Sequence, residues 1–313
     1  MATAGANIIR IVAVLAVPWG LGPRAAAQEE CRACHPREAA AHSQSHHARA
    51  IRPIVDTEFF RNLPGVPIGE ARGGFLFSYS RQGQALQVTA QRGNERATSM
   101  IEWAFGAGDQ GVTPLARKGE QWIEHRISYY TRSGRFDLTL GHQPGASASA
   151  EAALGQPQEP AVAKMCFDCH GGQAAKGVAC GSCHAGAQAH ARGSGKATHP
   201  GKLSRAAQVE LCATCHRLTP PNGNWNDPLN IRFQPLRMSQ SACYRKGEIT
   251  CGTCHAPHES ARRADAAFYR DRCLSCHASQ KAKGDCLSCH MPKSSPAPHL
   301  SFTDHWIRRA PAR

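Results

Sequence analysis

A repeated pattern of cysteine and histidine is the feature of this sequence that could do chemistry. The pattern C-x-x-C-H occurs seven times and uses 14 of the 15 cysteines. We number the copies motifs 1 to 7 in chain order: Cys31–His35, Cys166–His170, Cys180–His184, Cys212–His216, Cys251–His255, Cys273–His277 and Cys286–His290. This spacing is the attachment signal for c-type haem, because two thiols add to the two vinyl groups of one porphyrin and the next histidine reaches the iron.

The motifs predict seven covalently bound haem c groups. The predicted attachment thiols are Cys31, Cys34, Cys166, Cys169, Cys180, Cys183, Cys212, Cys215, Cys251, Cys254, Cys273, Cys276, Cys286 and Cys289. The predicted proximal iron ligands are His35, His170, His184, His216, His255, His277 and His290. Zinc ribbons and iron–sulfur clusters also use closely spaced cysteines, but neither requires a histidine after every second cysteine.

The sixth ligand of each iron separates an electron carrier from a catalyst, because an open position can bind a small substrate. The predicted candidates for distal ligands are His46, His47, His142, His190, His258, His299 and His305. His125 lies in a strand pattern and is predicted to be structural. Ten histidines lie outside the motifs, so their number neither requires nor excludes an open site.

The remaining cysteine, Cys243, lies outside every motif. A buried thiol, a thiolate ligand and an intermolecular bridge all stay open for it.

The N-terminus and the composition indicate an exported protein. Residues 1–27 have the order of a signal peptide, with Arg10, an apolar run and Ala25-Ala26-Ala27. We therefore expect a periplasmic protein, associated at most peripherally with a membrane, and no transmembrane segment in the mature chain. Only 6% of residues are aromatic, so folding should depend on the apolar surface of haem.

The net charge of +14 does not indicate nucleic-acid binding. Two propionates on each of seven haems would offset most of this charge.

The chain divides into six predicted segments. They are a signal peptide (1–27), a first haem-binding segment (28–72), a haem-free β unit (73–145), a linker rich in Ala, Ser, Gly, Pro and Gln (146–163), a hexahaem domain (164–292) and a tail carrying distal histidines (293–313). Alternating polarity predicts two hairpins in the β unit, one in residues 75–89 and one in residues 121–140. The predicted fold class is mainly α and irregular, with a small antiparallel β unit between motifs 1 and 2.

The spacing of the motifs predicts which haems are neighbours. The first cysteines of motifs 2 and 3 are 14 residues apart, and those of motifs 6 and 7 are 13 apart. Because the connecting segments are this short, we expect the two haems of each pair to lie close together.

Four segments resemble the cytochrome c-554-like (cytochrome c-552/4 domain) family of multihaem cytochromes. They are Cys31-Arg-Ala-Cys34-His35-Pro with Ser45-His46-His47-Ala48, Gly177-Val178-Ala179-Cys180 through His184 with His190, Gln240-Ser241-Ala242-Cys243-Tyr244 before Cys251 through His258, and Cys286 through Pro292 with His305-Trp306. The resemblance implies periplasmic electron transfer, mostly bis-histidine haems and links to nitrogen- or sulfur-compound respiration. It departs at Ala185-Gly186-Ala187, where many relatives have Gly-Pro-Gly.

The sequence therefore predicts a heptahaem c-type cytochrome that carries electrons between redox partners, a quinol-linked donor or a terminal reductase. Whether it is an enzyme stays open, although a carrier is favoured. One alternative is a multihaem oxidoreductase that acts on a small nitrogen or sulfur compound at one five-coordinate haem. Another is a structural subunit that bridges electrons within a membrane redox complex.

Overall fold

The computed structural model describes residues 30–70, 74–171, 177–262, 265–279 and 284–309. The predicted signal peptide lies outside them. Within these ranges, no helix is both long enough and apolar enough to cross a membrane.

A 10-stranded antiparallel sheet is the largest element. Its strands are β1 (Ile51–Pro53), β2 (Ile68–Gly69), β3 (Leu76–Gln82), β4 (Ala85–Arg92), β5 (Glu95–Phe105), β6 (Gly111–Lys118), β7 (Gln121–His125), β8 (Ile127–Tyr130), β9 (Arg135–Leu138) and β10 (Gly155–Pro157). The spatial order is β10-β7-β6-β5-β4-β3-β2, and β1 pairs with β5, β8 with β6, and β9 with β8. The sheet thus joins segments on both sides of the predicted β unit.

Alternating burial along the strands builds the core of the sheet. In β4 the side chains of Leu86, Val88 and Ala90 are at most 1% exposed, while their neighbours are half-buried. This period of two places one face of the strand against the core. Phe59, from the short helix Glu58–Arg61, is fully buried in the same cluster.

The first predicted hairpin is present, and the second is present only from residue 127 onward, because residues 121–125 form β7, which pairs with β6 and β10. β3 and β4 pair from Leu76↔Gln91 to Gln82↔Ala85, which leaves a two-residue turn at Gly83-Gln84. β8 and β9 pair from Ile127↔Leu138 to Tyr130↔Arg135.

The prediction of a mainly α fold with a small β unit is wrong, because the sheet is much larger than the two hairpins. Its central strands β5 and β6 lacked a clean pattern of alternation. The register shifts between Ile101 and Trp103 in β5, and Pro114 lies within β6. A bulge moves later side chains to the opposite face, and proline is unusual in a strand, so both obscure the period of two.

The predicted linker, residues 146–163, also requires correction. Ser149 caps a helix at Ala150–Leu154, and Ala153 and Leu154 are fully buried in the sheet core. β10 then pairs with β7. The alanines that indicated a linker are small enough to pack closely against the sheet, so composition alone was misleading here.

Short helices dominate the rest of the chain. The remaining α-helices that lie wholly within the described ranges are Pro36–Ser43, Pro160–His170, Ala187–Ala191, Arg205–His216, Gln234–Met238, Ala242–Lys246, Cys251–Cys254, Ala266–Leu274 and Cys286–His290. Two short strands, Lys293–Ser294 and Phe302–Thr303, pair in the tail. From residue 160 onward the buried apolar side chains are few, as expected for a thin polypeptide core: Ala163, Val209, Ile231, Leu236, Met238 and Leu300.

Candidate functional site

Each motif forms one turn of helix. Motifs 2, 4 and 7 lie at the C-terminal ends of helices or within one. In motifs 1, 3, 5 and 6 the histidine N–H donates to the carbonyl of the first cysteine, at 2.8 to 3.0 Å. Residues three and four apart on a helical turn share one face. The two thiols and the imidazole of a motif therefore approach a ligand from one side, as haem attachment requires.

Four motif histidines lie opposite a histidine from elsewhere in the chain. The distances between ring centres are 6.4 Å for His35 and His190, 6.1 Å for His216 and His47, 6.0 Å for His184 and His258, and 6.2 Å for His255 and His305. The distant partners are four of the seven predicted distal candidates. Each pair thus brings together a motif and a segment far from it in sequence.

The separation in these pairs fits one iron between two imidazoles. A bond from a first-row metal to an imidazole nitrogen is about 2 Å long, so two such bonds in line, with the two ring radii, place the ring centres about 6 Å apart. Ring pairs in direct contact span about 4.5–7 Å between centres, and these separations lie in that range as well. Each pair would supply two imidazole ligands to one haem iron bound at its motif.

Hydrogen bonds at Nδ1 orient the motif histidines. Nδ1 of His170 donates to the Ala50 carbonyl at 3.1 Å, Nδ1 of His184 to that of Thr198 at 3.0 Å, and Nδ1 of His290 to that of Arg308 at 2.8 Å. Nδ1 of His216 pairs with Gln234 Oε1 at 3.0 Å. A carbonyl partner fixes the proton on Nδ1 and leaves the lone pair of Nε2 for a metal.

Three of the histidines that lie opposite a motif histidine also have a backbone carbonyl near Nδ1. Nδ1 of His305 lies 3.0 Å from the Thr303 carbonyl, Nδ1 of His190 lies 3.3 Å from that of Gly195, and Nδ1 of His47 lies 3.4 Å from that of Pro257. These hydrogen-bond partners are backbone carbonyls, so no side-chain type in the sequence indicates them.

Burial keeps several of these imidazoles neutral. It lowers the pKa of His305 to about 4, with a further contribution from nearby His255. Burial also lowers the pKa of His170 and of His216, and His47 adds to the effect at His216. A metal ligand must be deprotonated at the binding nitrogen, so these groups are ready to bind iron at neutral pH.

Three predicted distal candidates have other contacts. Nε2 of His299 lies 2.7 Å from Asp137 Oδ2 on β9, and Nε2 of His142 lies 3.4 Å from Glu124 Oε2 on β7. The structure therefore places both against the sheet. The backbone N–H of His46 donates to Ser260 Oγ at 3.1 Å, a contact that does not involve its imidazole.

His125 occupies the sheet core. Its Nδ1 donates to the Leu154 carbonyl and its Nε2 lies 2.7 Å from the Tyr79 hydroxyl. Both ring nitrogens are thus used within the fold.

All fifteen cysteines lie in the described ranges, where none of them is paired in a disulfide. Thiols of different motifs meet in several places. Burial raises the pKa of the Cys31 thiol, which is also hydrogen-bonded to Cys180. Burial and the neighbouring Cys215 raise the pKa of Cys169 to about 11, and burial with Cys286 raises that of Cys273 to about 11. Because each thiol is a predicted point of porphyrin attachment, these contacts indicate which haem edges are adjacent.

The contact between Cys273 and Cys286 joins motifs 6 and 7, as their 13-residue spacing predicts. Motif 2 behaves differently. Within the described residues, its thiol contact is with motif 4, through Cys169 and Cys215, and Cys169 Sγ also lies 4.0 Å from the Thr214 carbonyl. The 14-residue spacing of motifs 2 and 3 predicted a contact between those two motifs, and it did not predict this contact between motifs 2 and 4.

Motif 2 is positioned by the sheet. Phe167 packs against Phe105 and Trp122, with ring centres 5.7 and 5.2 Å apart. The His170 ring lies 4.5 Å from Phe105. The large sheet therefore holds one haem site directly, although it carries no motif itself.

Cys243 lies close to motifs 5 and 6. Its thiol is half-buried and adds to the raised pKa of Cys254, which burial mainly causes. This position is compatible with all three roles considered for Cys243, a buried thiol, a thiolate ligand and an intermolecular bridge.

Comparison with known proteins supports a multihaem c-type cytochrome. The chain is 24% identical over 217 residues to the multiheme cytochrome MtrA of Shewanella baltica (strain OS185), an alignment of 65% of this chain and 55% of that protein. The chain thus spans about half the length of that relative. Its fold matches the crystal structure of the outer cell wall cytochrome OcwA with a TM-score of 0.50 at 14% identity, over 90% of this chain and 78% of that one.

No protein-family model matches the chain. The resemblance to the cytochrome c-554-like family is therefore not confirmed. The two likenesses and the seven motifs support covalently bound haem c, while the number seven stays a prediction.

Proposed function

We propose that this protein is an exported, periplasmic heptahaem c-type cytochrome that carries electrons between redox partners of a respiratory chain. The observation that carries the proposal is the set of four histidine pairs, each about 6 Å between ring centres. When bound, haem c supplies a one-electron couple between ferric and ferrous iron. An iron with two imidazole ligands has no free position for a substrate, which favours electron transfer over catalysis.

The role of the polypeptide is to hold each imidazole in a fixed orientation. The backbone carbonyls at Thr198 and Ala50 hold His184 and His170, and the motif turns hold the thiols beside them. A ligand that cannot rotate changes little between the two oxidation states, so little reorganisation opposes electron transfer.

The proposed redox partners follow from the chemistry of one-electron transfer. A quinol-linked donor and a terminal reductase would supply and remove single electrons. The relative from Shewanella baltica is named as a multihaem cytochrome, and this name supports an electron-transfer role without identifying a partner.

The test is a low-temperature EPR spectrum of the oxidised holoprotein, quantified against total iron. Seven irons per chain are expected, with the irons of the four paired sites in low-spin signals. A content other than seven would contradict the heptahaem assignment. Because coupled haems can lose signal intensity, the low-spin total is compared with an iron assay and with the absorption spectrum of the reduced protein.

A second candidate function is an oxidoreductase that acts on a small nitrogen or sulfur compound at one five-coordinate haem. One observation favours it. In the described part of the chain, no histidine ring lies opposite His170, His277 or His290 at the separation of the four pairs, and His277 and His290 are exposed. A high-spin signal of one haem that changes on adding nitrite or hydroxylamine would place this function first.

A further inference from the structure

Two guanidinium groups with a buried nitrogen lack an ion-pair partner in the described part of the chain. A buried Nε without a hydrogen bond occurs at Arg49, Arg52, Arg126 and Arg232. Arg52 and Arg126 each form an ion pair with a glutamate. Arg49 and Arg232 form no ion pair and no side-chain hydrogen bond with any residue that the structure describes. Since a buried polar group is costly to leave unpaired, an anionic group from outside the polypeptide is expected at both.

Arg232 lies beside the proximal histidine of motif 4. Gln234, two residues further along, pairs with Nδ1 of His216 at 3.0 Å. The residue between them is Phe233, and the guanidinium of Arg232 lies 5.2 Å from the centre of its ring. The guanidinium of Arg217, which directly follows His216, lies 6.0 Å from the same ring centre. Two positive charges therefore share one aromatic ring next to motif 4.

The backbone of Arg217 is unusual. Its φ is +58°, in the left-handed region that residues other than glycine seldom adopt. The Leu236 N–H donates to its carbonyl at 3.1 Å, which holds the chain in this conformation. Because glycine would adopt it with less strain, the arginine indicates that a side chain with a positive charge is used at this position.

Asp227 does not neutralise Arg232. Burial lowers the pKa of Arg232, and the charge of Asp227 opposes this shift. Both carboxylate oxygens of Asp227 nevertheless accept hydrogen bonds within their own loop, from the Leu229 N–H and from Asn222 Nδ2, each at 2.8 Å. The guanidinium of Arg232 thus remains available to a second carboxylate.

Arg49 comes from the segment that supplies the opposite ring of motif 4. Its neighbour two residues earlier, His47, lies 6.1 Å from His216 between ring centres. Its neighbour one residue later, Ala50, accepts a hydrogen bond from His170 Nδ1 at 3.1 Å. Arg49 is therefore held close to the His47 side of the pair, while Arg232 is held close to the His216 side.

We propose that Arg49 and Arg232 bind the two propionate carboxylates of the haem at motif 4, with Arg217 as a further positive charge beside them. The inference rests on the proposed function, which requires haem at this motif. A guanidinium can bind a carboxylate through two N–H donors, and each haem brings two carboxylates. Ferric iron carries one more positive charge than ferrous iron, so these arginines raise the midpoint potential of this haem.

The variants that test the proposal are Arg49→Gln and Arg232→Gln, each made in the full-length holoprotein. Haem methyl signals in the NMR spectrum, followed through a stepwise redox titration, report the midpoint potential of each haem. The signals of motif 4 are those that His47→Met moves most, because it replaces an axial ligand.

We expect each glutamine variant to lower the potential of the motif 4 haem more than that of any other haem. At a fixed applied potential, its ratio of ferrous to ferric iron should fall about tenfold, because a partly buried unit charge is only partly screened. An unchanged potential in either variant, or a larger shift at another haem, would overturn the assignment.

Two kinds of control separate charge from packing. Arg49→Lys and Arg232→Lys keep the charge and should restore most of the potential. A lysine variant as low in potential as its glutamine counterpart would mean that packing causes the shift, which contradicts the proposal. Arg96→Gln removes the same charge from an exposed position on β5 and should leave the motif 4 haem unchanged.

Acetate distinguishes the haem carboxylates from a free anion. If propionates occupy the guanidiniums, acetate should change the potential of the unsubstituted holoprotein no more than chloride does at the same ionic strength. A saturable shift with acetate that both glutamine variants abolish would mean that the arginines take a free anion, and the proposal would be wrong. An unsubstituted holoprotein without a low-spin haem at motif 4 would instead contradict the proposed function itself.

Discussion

Asp304 accepts two hydrogen bonds from the guanidinium of Arg237, from Nε at 2.9 Å and from an Nη at 2.8 Å. Arg308 adds a third at 2.6 Å. Burial raises the pKa of Asp304, but the hydrogen bonds from Arg237 and Arg308 lower it to about 2. This carboxylate immediately precedes His305, whose own carbonyl accepts from Ser241 Oγ at 3.2 Å. The C-terminal segment is thereby fixed at the point where it supplies a ring opposite motif 5.

The first prediction is that Asp304→Asn releases His305 from motif 5. The Asp304 side chain is 6% exposed, and removing one partner of a buried ion pair costs about 3 kcal/mol. Since the tail is held by this cluster, the loss should appear locally. We expect one haem to change from low spin to high spin in the EPR spectrum.

Two variants control this experiment. Asp304→Glu keeps the charge and should restore most of the low-spin signal. Asp137→Asn removes the carboxylate partner of His299 and should leave the low-spin signal of the unsubstituted protein unchanged. An unchanged low-spin signal in Asp304→Asn would show that the cluster does not position His305.

The different positions of His299 and His305 show what the sequence could not determine. Both lie in the tail, six residues apart, and both were equally good distal candidates. The structure places His299 against Asp137 of β9 and His305 opposite His255. The choice depends on Asp137, which lies more than a hundred residues earlier and is brought near only by folding.

Local chemistry was predictable, and long-range pairing was not. The motifs and the two hairpins are set by residues close in sequence, so their periods and spacings could be recognised. His190 lies opposite His35, and Cys169 meets Cys215, through contacts that depend on how separate segments pack. The size of the sheet was missed for a related reason, since the bulge in β5 and Pro114 in β6 interrupt a local pattern.

The second prediction concerns the motif 3 pair. The rings of His184 and His258 are nearly parallel, with an angle of 17°. His258→Ala should convert one haem from low spin to high spin, and added imidazole should restore the low-spin signal by binding in the space left by the side chain. Visible absorption and EPR follow both changes.

The matched comparison is His299→Ala, which removes a histidine that contacts Asp137 of the sheet. It should leave the low-spin signal at the level of the unsubstituted protein. Loss of a low-spin haem in His299→Ala and not in His258→Ala would reverse the assignment of these two histidines.

The third prediction concerns the glycine at the crossing of two chain segments. Gly177 has φ +107°, and a Cβ there would lie 2.0 Å from the Ala48 carbonyl oxygen. The neighbouring Val178 N–H donates to the His47 carbonyl at 2.9 Å. Gly177→Ala must separate these segments, so it should destabilise the fold and displace His47 from its position opposite His216 of motif 4. The measurement is the high-spin fraction together with the urea midpoint.

Gly65→Ala is the control, because a Cβ at that glycine meets nothing within 4 Å. It should leave both the spin state and the midpoint unchanged. Equal effects of the two substitutions would mean that the close crossing at Gly177 does not support His47.

The last prediction is a loss of sheet stability in acid that depends on His125. Burial lowers the pKa of this histidine from 6.5 to about 4, because the charged form would lose its hydration. The unfolded chain therefore takes up the proton more readily than the folded one between these two values. By linkage, the contribution is fully present above pH 6.5 and is lost as the pH falls from 6.5 towards 4. The total change is at most about 3.5 kcal/mol, since one pKa unit corresponds to about 1.4 kcal/mol.

Urea unfolding followed by far-UV circular dichroism, at pH values from 7 down to 4, measures this dependence. His125→Gln removes the titrating group, so its stability should vary less with pH over this interval, even if it is lower at pH 7. His142→Gln is the comparison, because it removes a nearby sheet histidine that contacts Glu124 and leaves His125 in place. An unchanged pH dependence in His125→Gln would mean that other groups cause the acid sensitivity of the sheet.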